Sequence, residues 1–351
     1  MSTHVAIAAV AKGQFDEVHV PTQKPQQGEV LLKAEYASMV AFDTYVTDLG
    51  YATDTFPVVL GSSAAGTIVE LGPSVDDLKV GDRVTAFAYQ GSRSKAMQEY
   101  SIQSRTVCAK VPDSMPLAAA ATIPDHFVAA FHTLFKHFPP VESPPSFFCS
   151  NSGSMALDLQ PVNMLFQLLH TAGYKNVIVT ASSKHHAYLT SLGATATIDY
   201  HSPSLAEDIA KAAGGDGKVM LAVDCITAEG TIAEVAEVAL LLPVKEGNNV
   251  RGEGESQMYM EIPEGRNPFP KSVNVCGVRT FLYQELFVKN GFQKENVMPK
   301  ILPELLEKGI IQPNRVHLLD EGSFKDRVAV GLDLLRHNKV SGEKLVVKIE
   351  V

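Results

Sequence analysis

The sequence predicts an α/β protein of two domains: a small β-rich, partly closed barrel and a doubly wound parallel sheet. Three observations carry that prediction. The first third of the chain is a series of short Val-rich runs separated by Gly and Pro turns, the pattern of a small barrel. The middle alternates apolar runs with helical stretches at βαβ spacing, which implies right-handed crossovers and a parallel sheet. The length, 351 residues with 45% hydrophobic and 20% charged, suits two ordinary domains with real cores.

Taken in order, His4–Val10 reads as the first strand, and Glu29–Ala37 follows the Pro25–Gly28 turn. Gly66–Gly72 is a strand closed by glycine. The Gly81-Asp82 turn leads into Val84–Ala88, and Tyr100–Val111 supplies one or two more strands. The composition changes near 115–145, where Ala-rich Pro116–Ala121 gives way to Pro-rich Phe138–Pro145. Phe147–Ser150 is then a short apolar run, and Pro161–Thr171 a helix with Pro near its first position. Lys175–Ala181, Thr195–Asp199 and Lys218–Asp224 read as strands. Ser183–Leu192 and Ser204–Ala213 read as helices stopped by glycine, and a further helix is expected near Gly230–Ala239. Phe324–His337 and Lys344–Ile349 close the series as a helix and a strand.

Charge narrows the function. Thirty Lys+Arg against 39 Asp+Glu give a net charge of −9, and no Lys/Arg block interrupts it. Nucleic acid and anionic membrane surfaces are therefore not expected partners. No apolar run approaches the roughly 20 residues needed to span a bilayer. Met1–Val5 shows no basic flank before an apolar stretch, so no secretory signal is expected and a cytoplasmic location is. Cys108, Cys149, Cys225 and Cys276 are far apart and read as buried free thiols.

The order of these segments resembles the medium-chain dehydrogenase/reductase superfamily. More narrowly it is similar to the zinc-independent trans-acting enoyl reductases of fungal polyketide biosynthesis. The matching stretches are Leu60–Gly72, Val80–Val84, Ala118–Pro124, Ala172–Tyr174, Ser191–Ala194, Asp199-Tyr200, Val223–Thr227 and Ser341–Val347. The resemblance implies a GroES-like catalytic domain from 1–118 and 309–351, and a Rossmann-like nucleotide-binding domain from 119–308, with the active cleft between them. It also implies NADP as cofactor, a polyketide-type substrate, and a polyketide synthase or its carrier domain as partner.

Zinc is not expected. Ser38-Met39-Val40 and Gly61-Ser62-Ser63 stand where zinc-dependent relatives carry Cys and His ligands, and no CxxC pair exists. The nucleotide loop departs from the family pattern. A dinucleotide needs glycines at the first strand–helix turn so that the backbone can approach the diphosphate. Here the turn reads Ser150-Asn151-Ser152-Gly153-Ser154, one glycine remains, and Asp158 adds a negative charge nearby. Either Asn151, Ser152 and Gly153 form a remodelled phosphate loop, or the loop only caps its helix.

Other positions keep the pattern better. Ser182, Ser183 and Lys184 follow the second strand without a carboxylate, which suits the 2′-phosphate of NADP. The alternative is that Ser183 caps a helix and Lys184 is solvated. By similarity, Tyr200 would flank the adenine, Val340 and Ser341 would approach the cofactor, and Asp43, Thr44 and Tyr45 would lie along its nicotinamide half. Tyr45 would then be a proton donor, or otherwise an aromatic wall. Asp125 and His126 stand where relatives carry small and hydroxyl residues. They form either an acid/base pair or a helix cap beside a packed imidazole.

Three functions follow. The first is an NADPH-dependent enoyl reductase. The second is a repurposed fold that works as a cyclase or isomerase without hydride transfer, holding a flexible polyketide in reactive shape. The third is a non-catalytic partner of a synthase.

Overall fold

The computed structural model describes residues 2–51, 53, 55–137, 147–150, 159–224, 235–241, 244–245, 258–259, 261–262, 265, 267, 273–278 and 291–350. The chain divides into two units, Met1–Val128 with Phe281–Val351, and Ala129–Thr280. Within the first unit, Val297–Ile301 packs on Arg105–Val107 and on β8 (Cys108–Lys110).

The first unit is antiparallel in its body. β1 (Thr3–Ala11) lies between β2 (Gln14–Pro21) and β4 (Val58–Val59). A second sheet runs β17 (Val316–Leu319), β18 (Lys344–Lys348), β3 (Glu29–Ser38), β5 (Ser63–Leu71), β6 (Arg83–Phe87), β8, with β7 (Tyr100–Ser104) also paired to β3. β18 joins β17 in parallel and β3 antiparallel. Ala65, Val111, Leu117, Ala120, Ala121 and Val346 form one buried cluster of this unit.

Two glycines set the β3–β5 approach. Opposite Gly66 the register of β3 slips by one residue between Ala34 and Tyr36. A Cβ on Gly66 would lie 2.0 Å from the Lys33 carbonyl oxygen, and one on Gly72 would lie 1.8 Å from that of Gln26. Only a residue without a side chain lets the strands come this close.

The second unit holds six parallel strands in the order β11 (Ala196–Ile198), β10 (Val177–Thr180), β9 (Phe147–Ser150), β12 (Val219–Asp224), β13 (Val235–Leu241), β16 (Asn274–Val278). Counted along the chain, that is 3-2-1-4-5-6, the doubly wound dinucleotide-binding order. A short antiparallel pair, β14 (Val244–Lys245) with β15 (Met258–Tyr259), lies beside it in sequence. Phe148, Ile178, Val219, Ala222, Val238 and Leu240 interlock from neighbouring strands as its core.

One expected element is corrected. Val235–Ala239 belongs to a strand, not to a helix, because it pairs in parallel with β12 on one side and β16 on the other. A strand with neighbours on both edges and cover on both faces reads as an apolar run, and Val-Ala-Glu-Val-Ala-Leu-Leu cannot be told from a helix by periodicity. The rest of that expected helix, from 230 to 234, lies outside the described residues.

Candidate functional site

Two groupings of site residues emerge, one in each unit. In the second unit, the parallel sheet places the carboxyl ends of β10 and β11 side by side, and this is where open α/β sheets bind ligands. β10 ends at Thr180, and Ser182 opens a turn of 3₁₀ helix over Ser183–His185. The Ser182 hydroxyl lies 3.4 Å from the Tyr200 hydroxyl. The Ser183 hydroxyl donates to the Asp199 carboxylate, which also accepts the His201 backbone N–H at 2.9 Å. These bonds, Ser183 first, hold the Asp199 carboxyl down to about 2. The Tyr200 and His201 rings lie 4.1 Å apart. Lys184 is exposed beside them. Ser182, Ser183, Lys184 and Tyr200 are thus brought together. Asp199 enters the same group although it was read only as part of a motif.

The Ser182 hydroxyl, the exposed Lys184 and the Tyr200 ring suit the phosphorylated end of NADP, although the ionised Asp199 carboxylate of the same group holds the Ser183 hydroxyl. Asn151, Ser152 and Gly153, together with Asp158 and Cys225, lie outside the described residues.

The second grouping is in the first unit. Pro124 occupies the first turn of the helix Pro124–His132, and Asp125 follows it. Asp125 carries three partners. Its backbone N–H donates to the Ser63 hydroxyl at 3.2 Å, its Oδ1 accepts the His126 N–H at 2.9 Å, and its two oxygens accept the Lys344 ammonium at 2.5 and 2.6 Å. Lys344 is wholly buried on β18, so this is an interior ion pair. Burial alone would raise the Asp125 carboxyl. The neighbouring imidazole and the Lys344 charge hold it below the usual carboxylate range. Burial also lowers the Lys344 ammonium, opposed by Asp125.

The tautomer of His126 follows from its donors. Its Nδ1 faces the Asn314 Nδ2 at 3.3 Å and the Lys344 Nζ at 3.3 Å. The Asn314 amide is oriented by donation to the Thr122 carbonyl at 3.0 Å, so the group facing the ring is NH₂. The Lys344 ammonium lies 3.5 Å from Nε2 as well, but the Asn314 NH₂ faces Nδ1 alone and can only donate, so Nδ1 accepts and Nε2 carries the proton. Burial, with the Lys344 charge adding to it against Asp125, pushes the imidazole down to about 3. The expected acid/base pair is therefore found as a buried ion pair beside a neutral imidazole. At neutral pH such a ring offers one N–H donor and has no room for a second proton. Asp125 lies inside the first turn of the helix, where its carboxylate accepts the next residue's N–H.

The remaining sequence candidates sit as follows. Asp43 is buried, and its oxygens accept the Val40 N–H at 2.9 Å and the Gly61 N–H at 3.0 Å. Burial raises its carboxyl in spite of these donors. The Thr44 hydroxyl donates to the Ala41 carbonyl at 2.7 Å. Tyr45 is buried edge-to-face on Phe42, ring centres 6.3 Å apart. Val340 is buried and Ser341 half-buried, just before β18. Sequence reasoning missed Lys344 and Asn314 as site residues. Lys344 gave a signal, a cation between Glu343 and the apolar run Leu-Val-Val, where a buried cation demands a buried anion. Asn314 gave none. Among the described residues, no group of three or more His, Cys, Asp and Glu could hold a metal ion. Cys108 and Cys149 are buried and Cys276 is half-buried. No described helix is long and apolar enough to cross a membrane.

The Alcohol dehydrogenase GroES-like domain family matches residues 26–127. Trans-enoyl reductase buaC of Petromyces alliaceus is 33% identical, across 98% of this chain and 97% of its own. The chain belongs to the medium-chain dehydrogenase/reductase superfamily, on its trans-enoyl reductase branch. A second member of that branch, trans-enoyl reductase himH of Aspergillus japonicus, is 29% identical across 92% of this chain and 90% of its own. Among solved structures, mycobacterial Rv1454c complexed with NADPH superimposes with a TM-score of 0.73 at 22% identity, over 99% of this chain and all of that one, and shares the fold. The resemblance read from the ordered motifs is borne out, and so is the fold class of GroES-like and Rossmann-like parts. The chain is an oxidoreductase by family.

Proposed function

We propose that this medium-chain oxidoreductase is an NADPH-dependent trans-acting enoyl reductase that reduces an activated C=C of a carrier-bound polyketide. The observation that carries the reading is the meeting of Ser182, Ser183, Lys184 and Tyr200 at the carboxyl end of β10 in a 3-2-1-4-5-6 sheet. Relatives that match more than nine-tenths of the chain and are named trans-enoyl reductases support it.

When bound, the nicotinamide supplies hydride to the β-carbon of the double bond. This chain's residues do the rest. The Lys184 ammonium and the Ser182 hydroxyl, with the Ser183 hydroxyl turned from Asp199, would hold the 2′-phosphate, and the Tyr200 ring would flank the adenine. Val340 and Ser341 are further cofactor contacts. The Tyr45 phenol or a water returns the proton to the α-carbon. The partner is the synthase's carrier domain, in the cytoplasm.

Titration with NADPH, read by cofactor fluorescence, tests this reading. Saturable binding is expected. Lys184→Ala should weaken NADPH by about tenfold or more, the worth of a charge-assisted hydrogen bond, and leave NADH nearly unchanged. Equal weakening of both cofactors refutes the clamp. Absence of NADPH binding at millimolar concentration refutes the reductase.

A further inference from the structure

β10 and β11 leave the sheet of the second unit together. Thr180 is level with Ile198, and the Ala181 N–H donates to the Ile198 carbonyl at 3.0 Å. The next residues of the two chains meet beyond that edge, Ser182 with Tyr200 and Ser183 with Asp199. The Asp199 carboxylate is fixed through both oxygens. Its Oδ1 accepts the His201 N–H at 2.9 Å and lies 3.2 Å from the His201 Nδ1, while its Oδ2 accepts the Ser183 hydroxyl. With its carboxyl held down to about 2, Asp199 is an anion at neutral pH.

A serine hydroxyl has one proton to give. A phosphate monoester near neutral pH is mostly a dianion whose oxygens accept. To be held by Ser183 it needs the proton that Asp199 already has. Binding would then exchange one charge-assisted hydrogen bond for another and set two anions on either side of one hydroxyl. The exposed Lys184 ammonium offsets that repulsion in part. A bare ribose meets no such conflict, because its 2′-hydroxyl is uncharged and can itself donate to a carboxylate.

On the reading of Ser182, Ser183 and Lys184 as the 2′-phosphate site, we infer that Asp199 is a specificity-determining residue that competes for the Ser183 proton and holds down the preference for NADPH over NADH. Lys184 and Asp199 then set that preference between them, one for the phosphate and one against it. Asp199→Asn isolates the second contribution. The amide keeps an oxygen for the His201 N–H, so the turn is preserved, but it carries no charge and is a weaker acceptor for Ser183.

NADPH and NADH are titrated separately into the full chain and into Asp199→Asn, read by cofactor fluorescence. The ratio of the NADH Kd to the NADPH Kd should rise about threefold or more in the variant, the scale expected of a partly exposed charge, chiefly because NADPH binds more tightly. In a Ser183→Ala background the same change should gain less, since no shared proton is left to release. A ratio that stays the same or falls in Asp199→Asn, while the unaltered chain binds NADPH, overturns the role of Asp199 and leaves the phosphate site standing. An equal gain in the Ser183→Ala background overturns the shared proton. Failure of both proteins to bind NADPH overturns the site itself, and the inference with it.

Discussion

Lys344 and Asp125 pose a problem that each solves for the other. An unpaired ammonium or carboxylate in the interior costs several kcal/mol, and each would lose its charge rather than remain alone. Lys344→Met should accordingly destabilise the protein by about 3–5 kcal/mol in urea unfolding, because it strands the Asp125 carboxylate. Adding Asp125→Leu to it should restore much of that loss. A double variant no more stable than the single one would mean that the ion pair does not explain the cost. His126 makes the cluster sensitive to pH. The unfolded chain binds its proton near 6.5, whereas the folded protein refuses it until about 3. Its contribution to stability is therefore complete above 6.5 and is lost as the pH falls from there through 3. The slope is about 1.4 kcal/mol per pH unit in that window. The lowered Asp125 carboxyl adds loss in the same direction below its unfolded value. Denaturant midpoints measured between pH 4 and 7 should show this slope, and His126→Gln should flatten it. A slope unchanged in His126→Gln would contradict a neutral imidazole in the folded protein.

At the level of strands and helices, glycine explains why the first unit's motif reads as it does. The run from Gly61 to Gly72 marks the family in sequence, but its physical reason lies on the partner strand. β3 carries an extra residue where it crosses Gly66, and a carbonyl occupies the space of a side chain. Gly66→Ala should cost about 1–3 kcal/mol through displaced backbone. Thermal unfolding checks this, and a loss below half a kcal/mol would show that the strands can part. The same scale shows what sequence could and could not reveal. β9 and β10 were legible because Phe-Phe-Cys and Val-Ile-Val are short, β-branched or aromatic, and bounded by turns. β13 was not, because its alanines and its Glu237 suit a helix equally well and only its neighbours decide. β2 escaped notice because Gln14–Pro21 lies at a sheet edge with mostly exposed or half-exposed side chains, leaving no apolar stripe to read.

For the molecule as a whole, the legible part was what repeats along the chain. Order and spacing of strands, turns and helices pointed to both domains and to the family. The candidate sites were legible only in pieces. Asp125 and His126 are adjacent in sequence, so their pairing could be considered, but Lys344 lies 219 residues away and Asn314 lies 188 residues from His126. No local pattern joins such positions; the sheet order does. β18 sits between β17 and β3 and delivers Lys344 from inside the first unit's sheet. Removing residues 341–351 should therefore leave a chain that fails to fold cooperatively, as judged by loss of its unfolding transition. A truncated protein with an intact transition would mean that β17 can pair with β3 directly. The position of β18 also bears on synthesis. It leaves the ribosome after every other strand described, while its slot lies beside β3, made some three hundred residues earlier. β7 covers Glu29–Lys33 on that side, so the nascent chain must carry the Tyr36–Ser38 stretch of the edge uncovered through the whole translation of the second unit. Chaperone dependence, and a sensitivity of yield to the speed of translation, should follow from where one strand is inserted.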